Sequence, residues 1–239
     1  MSEITREVKL GPSVVPQLDS SVLSLSDTER AFLHESITPD DEILQTKLLE
    51  IQRLAYVEHP YPCIHAFHFV NLMMRINPVY PEVVSSGKTG KTTLLDLGCC
   101  MGSDVRKLVK DGYPASNIIG CDLRQEFINY GYDLYGDREH CKIRFFADDI
   151  FELPYPLTPS NTVSEPTGLV SLIGRLNHIY TGALFHLFDE ATQYAIALRL
   201  TTLLKHTPGA IIFGRHQGLE KEGLIDDHMN RYMPFLYSG

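Results

Sequence analysis

The feature that most constrains the fold is a short apolar run that passes through a glycine loop into a helix. The run Thr93–Leu97 contains Asp96, and Gly98 and Gly102 follow it four residues apart. The spacing of apolar residues then predicts a helix over Asp104–Gly112, with an acid in its first turn. A strand, a glycine turn and a helix in this order begin a βαβ unit. The glycines let a ligand approach the backbone closely, because no Cβ atoms intervene.

Short apolar runs alternate with helical patterns along the rest of the chain. Such alternation implies right-handed crossovers and a parallel sheet, whose ligands bind at the carboxyl ends of the strands. We therefore predict an α/β, Rossmann-like doubly wound fold, with a mostly parallel sheet of about five strands and an N-terminal helical extension. The predicted strands are Thr93–Leu97, Asn117–Cys121, Ile143–Ala147, Asn177–Thr181 and Ala210–Gly214. The predicted helices are Asp104–Gly112, Arg124–Tyr135, Glu165–Arg175 and Asp189–His206.

The N-terminal region has helical patterns and prolines but no strand pattern. Ser26 and Glu29 form a capping-box motif at a helix start. Apolar residues at helical spacing predict helices over Asp40–Val57 and Ile64–Ile76, and a turn or linker follows at Ser85–Thr89. We therefore divide the chain into an N-terminal extension and helical lid, residues 1–90, and a core, residues 91–239.

An acidic residue lies at or just after the end of each of the first three predicted strands in the core. They are Asp96, Asp122 and Asp149, and the carboxyl ends of parallel strands bring them to one edge of the sheet. Carboxylates there repel a pyrophosphate, and the glycine spacing differs from the GxGxxG of dinucleotide folds. S-adenosylmethionine, which has a positive centre and no phosphate, fits better.

Each of these acids has a role in such a site. Asp96 attracts the ammonium of the ligand directly or through water, and Asp122 accepts hydrogen bonds from both ribose hydroxyls. Asp149 accepts from the exocyclic amine of adenine, and a neighbouring backbone amide serves a ring nitrogen. A single acid at a strand end is common in polar loops, so the prediction depends on the whole set. The set says nothing about the substrate.

The composition argues against several other classes of protein. The formal net charge is −9, and no basic run exceeds two residues, which argues against nucleic acid as a partner. No apolar run is long enough to span a bilayer, and the first ten residues lack the apolar core of a signal peptide. The five cysteines lack zinc-type or redox-type spacing, and no HExxH motif occurs, so we expect no metal site. We interpret the acidic pairs Asp40–Asp41 and Asp226–Asp227 as solvated charges, and we expect a reducing, cytoplasmic location.

Three strings resemble a known family. LLDLGCCMG, IIGCDL and FFADDIFELP resemble the first three motifs of class I S-adenosylmethionine-dependent methyltransferases, within about 92–214. DLGCCMGSDVRKL, YPCIHAFHF and ALFHLFDE are similar to fungal methyltransferases of polyketide and meroterpenoid pathways, some of which methylate carboxyl groups. The resemblance implies a small-molecule acceptor. It also implies the cofactor contacts, with Asp96, Gly98 and Gly102 near the methionine part, Asp122 and Leu123 at the ribose, and Asp149 and Ile150 at the adenine.

The sequence departs from the family pattern at two places. Cys100 stands where the general first motif has its middle glycine, which is usual in the fungal group. The chain ends with NRYMPFLYSG, where family members continue through another helix and a sixth and seventh strand. We therefore expect a core without the last strands, in which Ala210–Gly214 is an edge strand or is covered by a partner chain. The sequence leaves open whether the chain forms a homodimer. It also leaves open whether the chain is a truncated gene model, a degenerate copy or a shortened member of the family.

The chemistry implied is methyl transfer. A carboxylate or phenolate acceptor arrives ionised, whereas a neutral hydroxyl requires a general base. The candidate catalytic residue is His186, just past the fourth predicted strand, and His178 within that strand is a weaker candidate. For both histidines a structural role is the favoured interpretation, more strongly for His178. Three functions follow. The first is a small-molecule O-methyltransferase of secondary metabolism that acts on a carboxyl group, and the second is an inactive or repurposed member of the fold (pseudoenzyme, isomerase or partner subunit). The third is a dinucleotide-binding oxidoreductase, against which Asp104 and the glycine spacing argue.

Overall fold

The computed structural model describes residues 15–156, 168–218, 223–224 and 236–237. Its central sheet has five parallel strands in the order β3-β2-β1-β4-β5. The strands are β1 Leu94–Leu97, β2 Ile118–Asp122, β3 Arg144–Ala147, β4 His178–Gly182 and β5 Ile211–Arg215. These bounds lie within one residue of the predicted ones, and the predicted fold class is confirmed. A separate antiparallel pair joins β6 Gly223–Leu224 to β7 Leu236–Tyr237.

Helices cover both faces of the sheet. Helices α4 and α5 share one apolar core with Leu94 and Ile118, and α7 shares another with Leu95 and Ile179. Asp189 starts α7 by accepting a hydrogen bond from the Thr192 amide at 2.8 Å. These helices are α4 Tyr80–Gly87, which lies in the predicted extension, α5 Ser103–Lys110, α6 Gln125–Tyr135 and α7 Glu190–Leu203.

The N-terminal region packs on the sheet through α6. Its helices are α1 Asp27–Ser36, α2 Asp41–Glu58 and α3 Pro62–His65. The predicted capping box is confirmed, because the Ser26 hydroxyl accepts from the Glu29 amide and the Glu29 carboxylate accepts from the Ser26 amide. Apolar residues of α2 and α6 lie in one buried cluster. The N-terminal region is therefore continuous with the core of the domain.

The prediction of a helix over Ile64–Ile76 is wrong. Only α3 is helical there, and it is followed by two short 3-10 turns at His68–Val70 and Met74–Ile76. The backbone of this segment is hydrogen-bonded to other elements, since the Phe69 carbonyl accepts from the Ser103 hydroxyl. The Leu72 amide likewise donates to Glu29 at 3.1 Å. These long-range bonds replace the local bonds of a helix.

Two further predictions need correction. The turn at Ser85–Thr89 overlaps the end of α4, which begins at Tyr80 with a proline in its first turn, where proline is favoured. The helix over Glu165–Arg175 is, within the described residues, a 3-10 helix at Gly168–Leu172.

The strand order reverses between β1 and β4, which places a crevice at their carboxyl ends. Within the described residues the sheet ends at β5, which pairs with β4 alone, as expected of an edge strand. The carboxyl ends of all five strands lie along one edge of the sheet, and the candidate residues are distributed along it.

Candidate functional site

The glycine loop connects β1 to α5 through three left-handed residues. Gly98, Cys100 and Gly102 have φ values of 83°, 51° and 74°. A Cβ at Gly98 would meet only the Leu184 side chain, at 3.8 Å, whereas a Cβ at Gly102 would lie 2.7 Å from the Phe145 ring. Gly98 therefore leaves room for a ligand beside the backbone, and Gly102 allows the loop to pack on β3.

Asp122, at the end of β2, holds this loop in place. Its carboxylate accepts from the Cys100 amide at 2.7 Å and from the Arg124 amide at 3.0 Å. Burial raises the pKa of Asp122, and these amide bonds oppose that rise. The side chain of the neighbouring Leu123 is 51% exposed, so packing within the protein does not explain why an apolar residue occupies this position. The pair suits a ligand with hydroxyls next to an apolar ring.

Asp96 is a buried acid without a partner among the described residues. It is 3% exposed, and its carboxylate receives no hydrogen bond from the residues that the structure describes. Burial, together with the nearby carboxylates of Asp104 and Asp122, raises its pKa well above the ordinary value. A bound cation would relieve this repulsion, so the position fits a positively charged ligand group.

Asp104 lies in the first turn of α5 and reaches the N-terminal region. Its carboxylate accepts from the Met74 amide at 2.9 Å and from the Met73 amide. Burial raises the pKa of Asp104 to about 7, and the amide bonds oppose that rise. Asp104 therefore both adds charge to the site and attaches the N-terminal region to it.

Two neighbouring acids follow β3, and they have different partners. Asp149 accepts from the Phe151 amide at 2.8 Å and so starts a 3-10 helix at Ile150–Glu152. Asp148 accepts from the amides of Asp149 and Leu169. Ile150 is buried, with 7% exposure. The structure brings Asp149 to the same sheet edge as Asp96 and Asp122, as predicted.

His186 lies in a 3-10 turn, Phe185–Leu187, just beyond β4. Its Nδ1 atom is buried and has no hydrogen-bond partner within the described part of the chain. Burial, with the nearby charges of His216 and Arg215, lowers the pKa of His186 to about 4. The imidazole is therefore neutral at pH 7 and can accept a proton or a hydrogen bond.

His178 faces the core instead. It is 1% exposed, and its Nδ1 atom lies 3.2 Å from the Tyr113 hydroxyl, which also donates to Thr92 at 3.0 Å. We therefore interpret His178 as a structural histidine and not as a catalytic one.

The sequence analysis missed two residues near this edge, Tyr180 and Arg215. Tyr180 is opposite Asp96 in the β1–β4 register, and its hydroxyl is buried without a partner among the described residues. Burial and the carboxylates of Asp104 and Asp96 raise its pKa. Arg215 ends β5 and is exposed. Only their positions at or near strand ends could have indicated them.

The aromatic segment 61–69 lies beside the same edge. The Tyr61 hydroxyl accepts from Arg124 Nε at 3.2 Å and from Nη2 at 3.0 Å, and its ring packs against Phe127. The segment is thus attached to the residue that follows Leu123, which fits the predicted lid without testing it.

Other expectations concern metals and membranes. Within 15–156, 168–218 and the two short strands, no cluster of histidine, cysteine and acidic residues could hold a metal ion. Asp40 caps α2, and Asp41 pairs with Arg30 and His34, so both have structural partners. Asp226–Asp227 lies outside the described residues. No helix in the described part of the chain has the length and hydrophobicity needed to cross a bilayer.

Comparisons with known proteins identify relatives of this chain. Residues 18–70 match the family model described as "Meroterpenoid methyltransferase N-terminal domain". The chain is 36% identical to O-methyltransferase atr3 of Stereocaulon alpinum over 91% of its length and 60% of the relative's. It is 36% identical to the Asnovolin E/Chermesin D methyltransferase nvfJ of Aspergillus novofumigatus, over 87% of its length and 70% of the relative's. Methyltransferase adrK of Penicillium rubens is 33% identical over 99% of this chain and 80% of its own length.

Proposed function

Because this chain belongs to the class I S-adenosylmethionine-dependent methyltransferases, in the group of its fungal relatives, we propose that it methylates an oxygen atom of a small molecule. The pathway we propose is the biosynthesis of a fungal meroterpenoid or polyketide, a secondary metabolite. The chain spans about 60% of the length of the first of these relatives, so the activity of the whole protein is part of the proposal. The observation that supports it best is the unpaired carboxylate of Asp96 beside the open backbone at Gly98.

The residues at the sheet edge fit S-adenosylmethionine. We assign Asp96 and Gly98 to the methionine part, because a buried, unpaired carboxylate suits its ammonium and sulfonium charges. Asp122 is assigned to the ribose hydroxyls, since each of its oxygens keeps a second lone pair after accepting one amide bond. Gly102 shapes the loop. The adenine is assigned to Leu123, whose exposed side chain can cover a ring, and to Asp149 and Ile150 after β3.

The division of the chain supports the same assignment. We assign residues 91–239 to cofactor binding and residues 1–90 to an extension that covers the site. The hydrogen bonds of Asp104 to the Met73–Met74 amides, and of Tyr61 to Arg124, attach the extension to the loops that follow β1 and β2. The extension can therefore exclude water from the site, which methyl transfer requires.

We propose a carboxyl group as the acceptor. A carboxylate is ionised at neutral pH, so its oxygen can attack the methyl carbon without a base. The enzyme then has to align the nucleophile, the methyl carbon and the sulfur, and to exclude water. His186, neutral at pH 7, would be the base if the acceptor were a hydroxyl instead.

The test is the binding of S-adenosylmethionine to the purified 239-residue chain by isothermal titration calorimetry. We expect micromolar affinity and its loss in Asp122→Ala, which removes the acceptor of the Cys100 and Arg124 amides. Glu50→Gln on α2 is the control, because this exposed acid lies on a helix of the extension. A folded wild-type chain that does not bind would contradict the proposal and favour a repurposed member of the fold.

A further inference from the structure

Arg215 lies at the carboxyl end of β5, on the same sheet edge as the acids but on the opposite side of the crevice. It is opposite Gly182 at the end of β4, and its carbonyl accepts from the Ala183 amide at 2.7 Å. The preceding carbonyl, of Gly214, accepts from the Asn77 side chain at 2.9 Å. The backbone that carries the guanidinium is therefore held from two directions.

The side chain of Arg215 has no counter-ion within the part of the chain that the structure describes. Among the described residues it makes no hydrogen bond and no ion pair, and it is exposed. Some arginines are paired, for example Arg106 with Asp137 at 2.7 Å, whereas the side chains of Arg53, Arg75 and Arg175 also make no hydrogen bond or ion pair among the described residues, so it is its place at the sheet edge that distinguishes Arg215. The acid whose charge reaches Arg215 is Asp104, and that carboxylate already accepts two backbone amides. An arginine that is left unpaired in a chain of net charge −9 suits an anionic ligand.

Histidines lie near this guanidinium. The positive charge of Arg215 reaches His68 and His186, and desolvation together with that charge lowers the pKa of both imidazoles. The ring of His216 packs edge-on against Phe185 at 6.4 Å, in the turn that carries His186. The neutral imidazoles of His68 and His186 supply further hydrogen-bond donors and an apolar wall beside one fixed positive charge.

The geometry of methyl transfer indicates which ligand binds beside Arg215. An in-line displacement puts the acceptor on the far side of the methyl group from sulfur. The acids that suit the cofactor lie at or just after the ends of β1, β2 and β3, so the far side is at the ends of β4 and β5. We propose that Arg215, flanked by His186 and His68, binds the carboxylate of the methyl acceptor and selects organic acids over their neutral forms. This inference rests on the proposed function and adds the residue that determines specificity.

The step balances without a proton. One carboxylate oxygen forms a bond to the methyl carbon while the carbon–sulfur bond breaks and its electron pair stays on sulfur. The product ester has lost the charge that Arg215 attracts. The guanidinium therefore favours the substrate over the product, and product release is assisted.

The test compares acids with their own esters. Hydroxylated benzoic acids, each with its methyl ester, are titrated by ligand-observed NMR into the chain saturated with S-adenosylhomocysteine. We expect each acid to bind about tenfold more tightly than its ester, as for a charge-assisted hydrogen bond. Arg215→Gln should abolish the preference and Arg215→Lys should retain part of it. The control is Arg53→Gln, an exposed arginine on α2, which should leave it unchanged.

Several results would overturn the inference. Acids that bind no better than esters, no binding of any acid, or a preference that survives in Arg215→Gln would each do so. A tenfold loss of S-adenosylhomocysteine affinity in Arg215→Gln would assign the guanidinium to the carboxylate of the cofactor instead. In each of these cases the wild-type chain still binds S-adenosylhomocysteine. If the wild-type chain fails to bind it, the proposed function fails first.

Discussion

The two halves of the sheet edge carry opposite charge. The ends of β1, β2 and β3 carry acids, whereas the ends of β4 and β5 carry Arg215 and histidines. A cationic methyl donor and an anionic methyl acceptor would thus each bind at its own half of the edge, close to one another. The two halves also differ in bonding, since Asp104 and Asp122 accept backbone amides, while His186 Nδ1 has no partner in the described residues. We call the β1–β3 side, which we propose binds the methyl donor, the donor half, and the β4–β5 side, which we propose binds the methyl acceptor, the acceptor half. The donor half is therefore preorganised, and the acceptor half has hydrogen-bonding capacity left for a ligand.

The largest expected effect comes from disturbing the donor half through its packing. A Cβ at Gly131 of α6 would lie inside van der Waals contact of the Met101 carbonyl oxygen in the glycine loop. Gly131→Ala should lower the free energy of unfolding by about 2–3 kcal/mol and weaken S-adenosylmethionine binding. Denaturant unfolding and calorimetry measure the two effects.

The matched control is Gly136→Ala at the end of the same helix. A Cβ there meets open space, and only its φ of 63° is unfavourable, so a cost of about 1 kcal/mol is expected. Equal costs for the two variants would show that the loop does not depend on this close contact.

The next effect has opposite signs for binding and stability. Asp96→Asn removes a buried charge without hydrogen-bond partners in the described chain, so the melting temperature of the ligand-free protein should rise. The same change should weaken S-adenosylmethionine binding about tenfold, because the cation loses its counter-ion. Thermal unfolding measures the melting temperature and calorimetry measures the affinity, with Glu50→Gln as the control. A lower melting temperature with unchanged affinity would mean that Asp96 is a structural acid.

The donor half should also make ligand-free stability depend on pH. The pKa of Asp104 in the folded protein is about 7, raised by burial from an ordinary 3.8, so folding favours the protonated form. Its stabilising contribution is complete below about pH 4 and is lost as the pH rises through 7. The difference in melting temperature between wild type and Asp104→Asn, measured from pH 5 to 8, should therefore change steadily. A constant difference would place the titration of Asp104 outside this window.

The smallest effect is expected at His186. Its imidazole should titrate near pH 4 in NMR spectra, because burial and neighbouring positive charges disfavour the protonated form. His186→Gln should leave the affinity for S-adenosylmethionine unchanged within about twofold, since the residue lies in the acceptor half. A titration near pH 6.5 would show that the ring is open to solvent.

The sequence predicted the sheet and α2 well and the segment 64–76 poorly. Buried strands are apolar runs with polar ends, so a local pattern locates them to one residue, as for β1 and β2. The segment 64–76 has helical spacing as well, but its amides and carbonyls bond to Glu29, Ser103 and Asp104. Such bonds join residues far apart in sequence, and no window of residues contains them.

The candidate site divides in the same way. Asp96, Asp122 and Asp149 could be predicted, because each lies at or just after the end of a strand and their meeting at one edge is a consequence of topology. Arg215 and Tyr180 could not, because what distinguishes them is a place at or near this edge together with the absence of partners in the described fold. That property depends on all surrounding elements.

The hydrogen bond between Asn77 and the Gly214 carbonyl joins two residues that are synthesised at different times on the ribosome. The extension leaves the exit tunnel well before the strands it packs against, and translation at about 5–20 residues per second separates the two by roughly ten seconds. During that interval α2 can pack on α1 and α3, but the part of α2 that contacts α6 has no native partner, since α6 follows it in synthesis. We therefore expect this part of α2 to stay exposed on newly made chains until α6 has been made, and slower translation to lengthen that exposure.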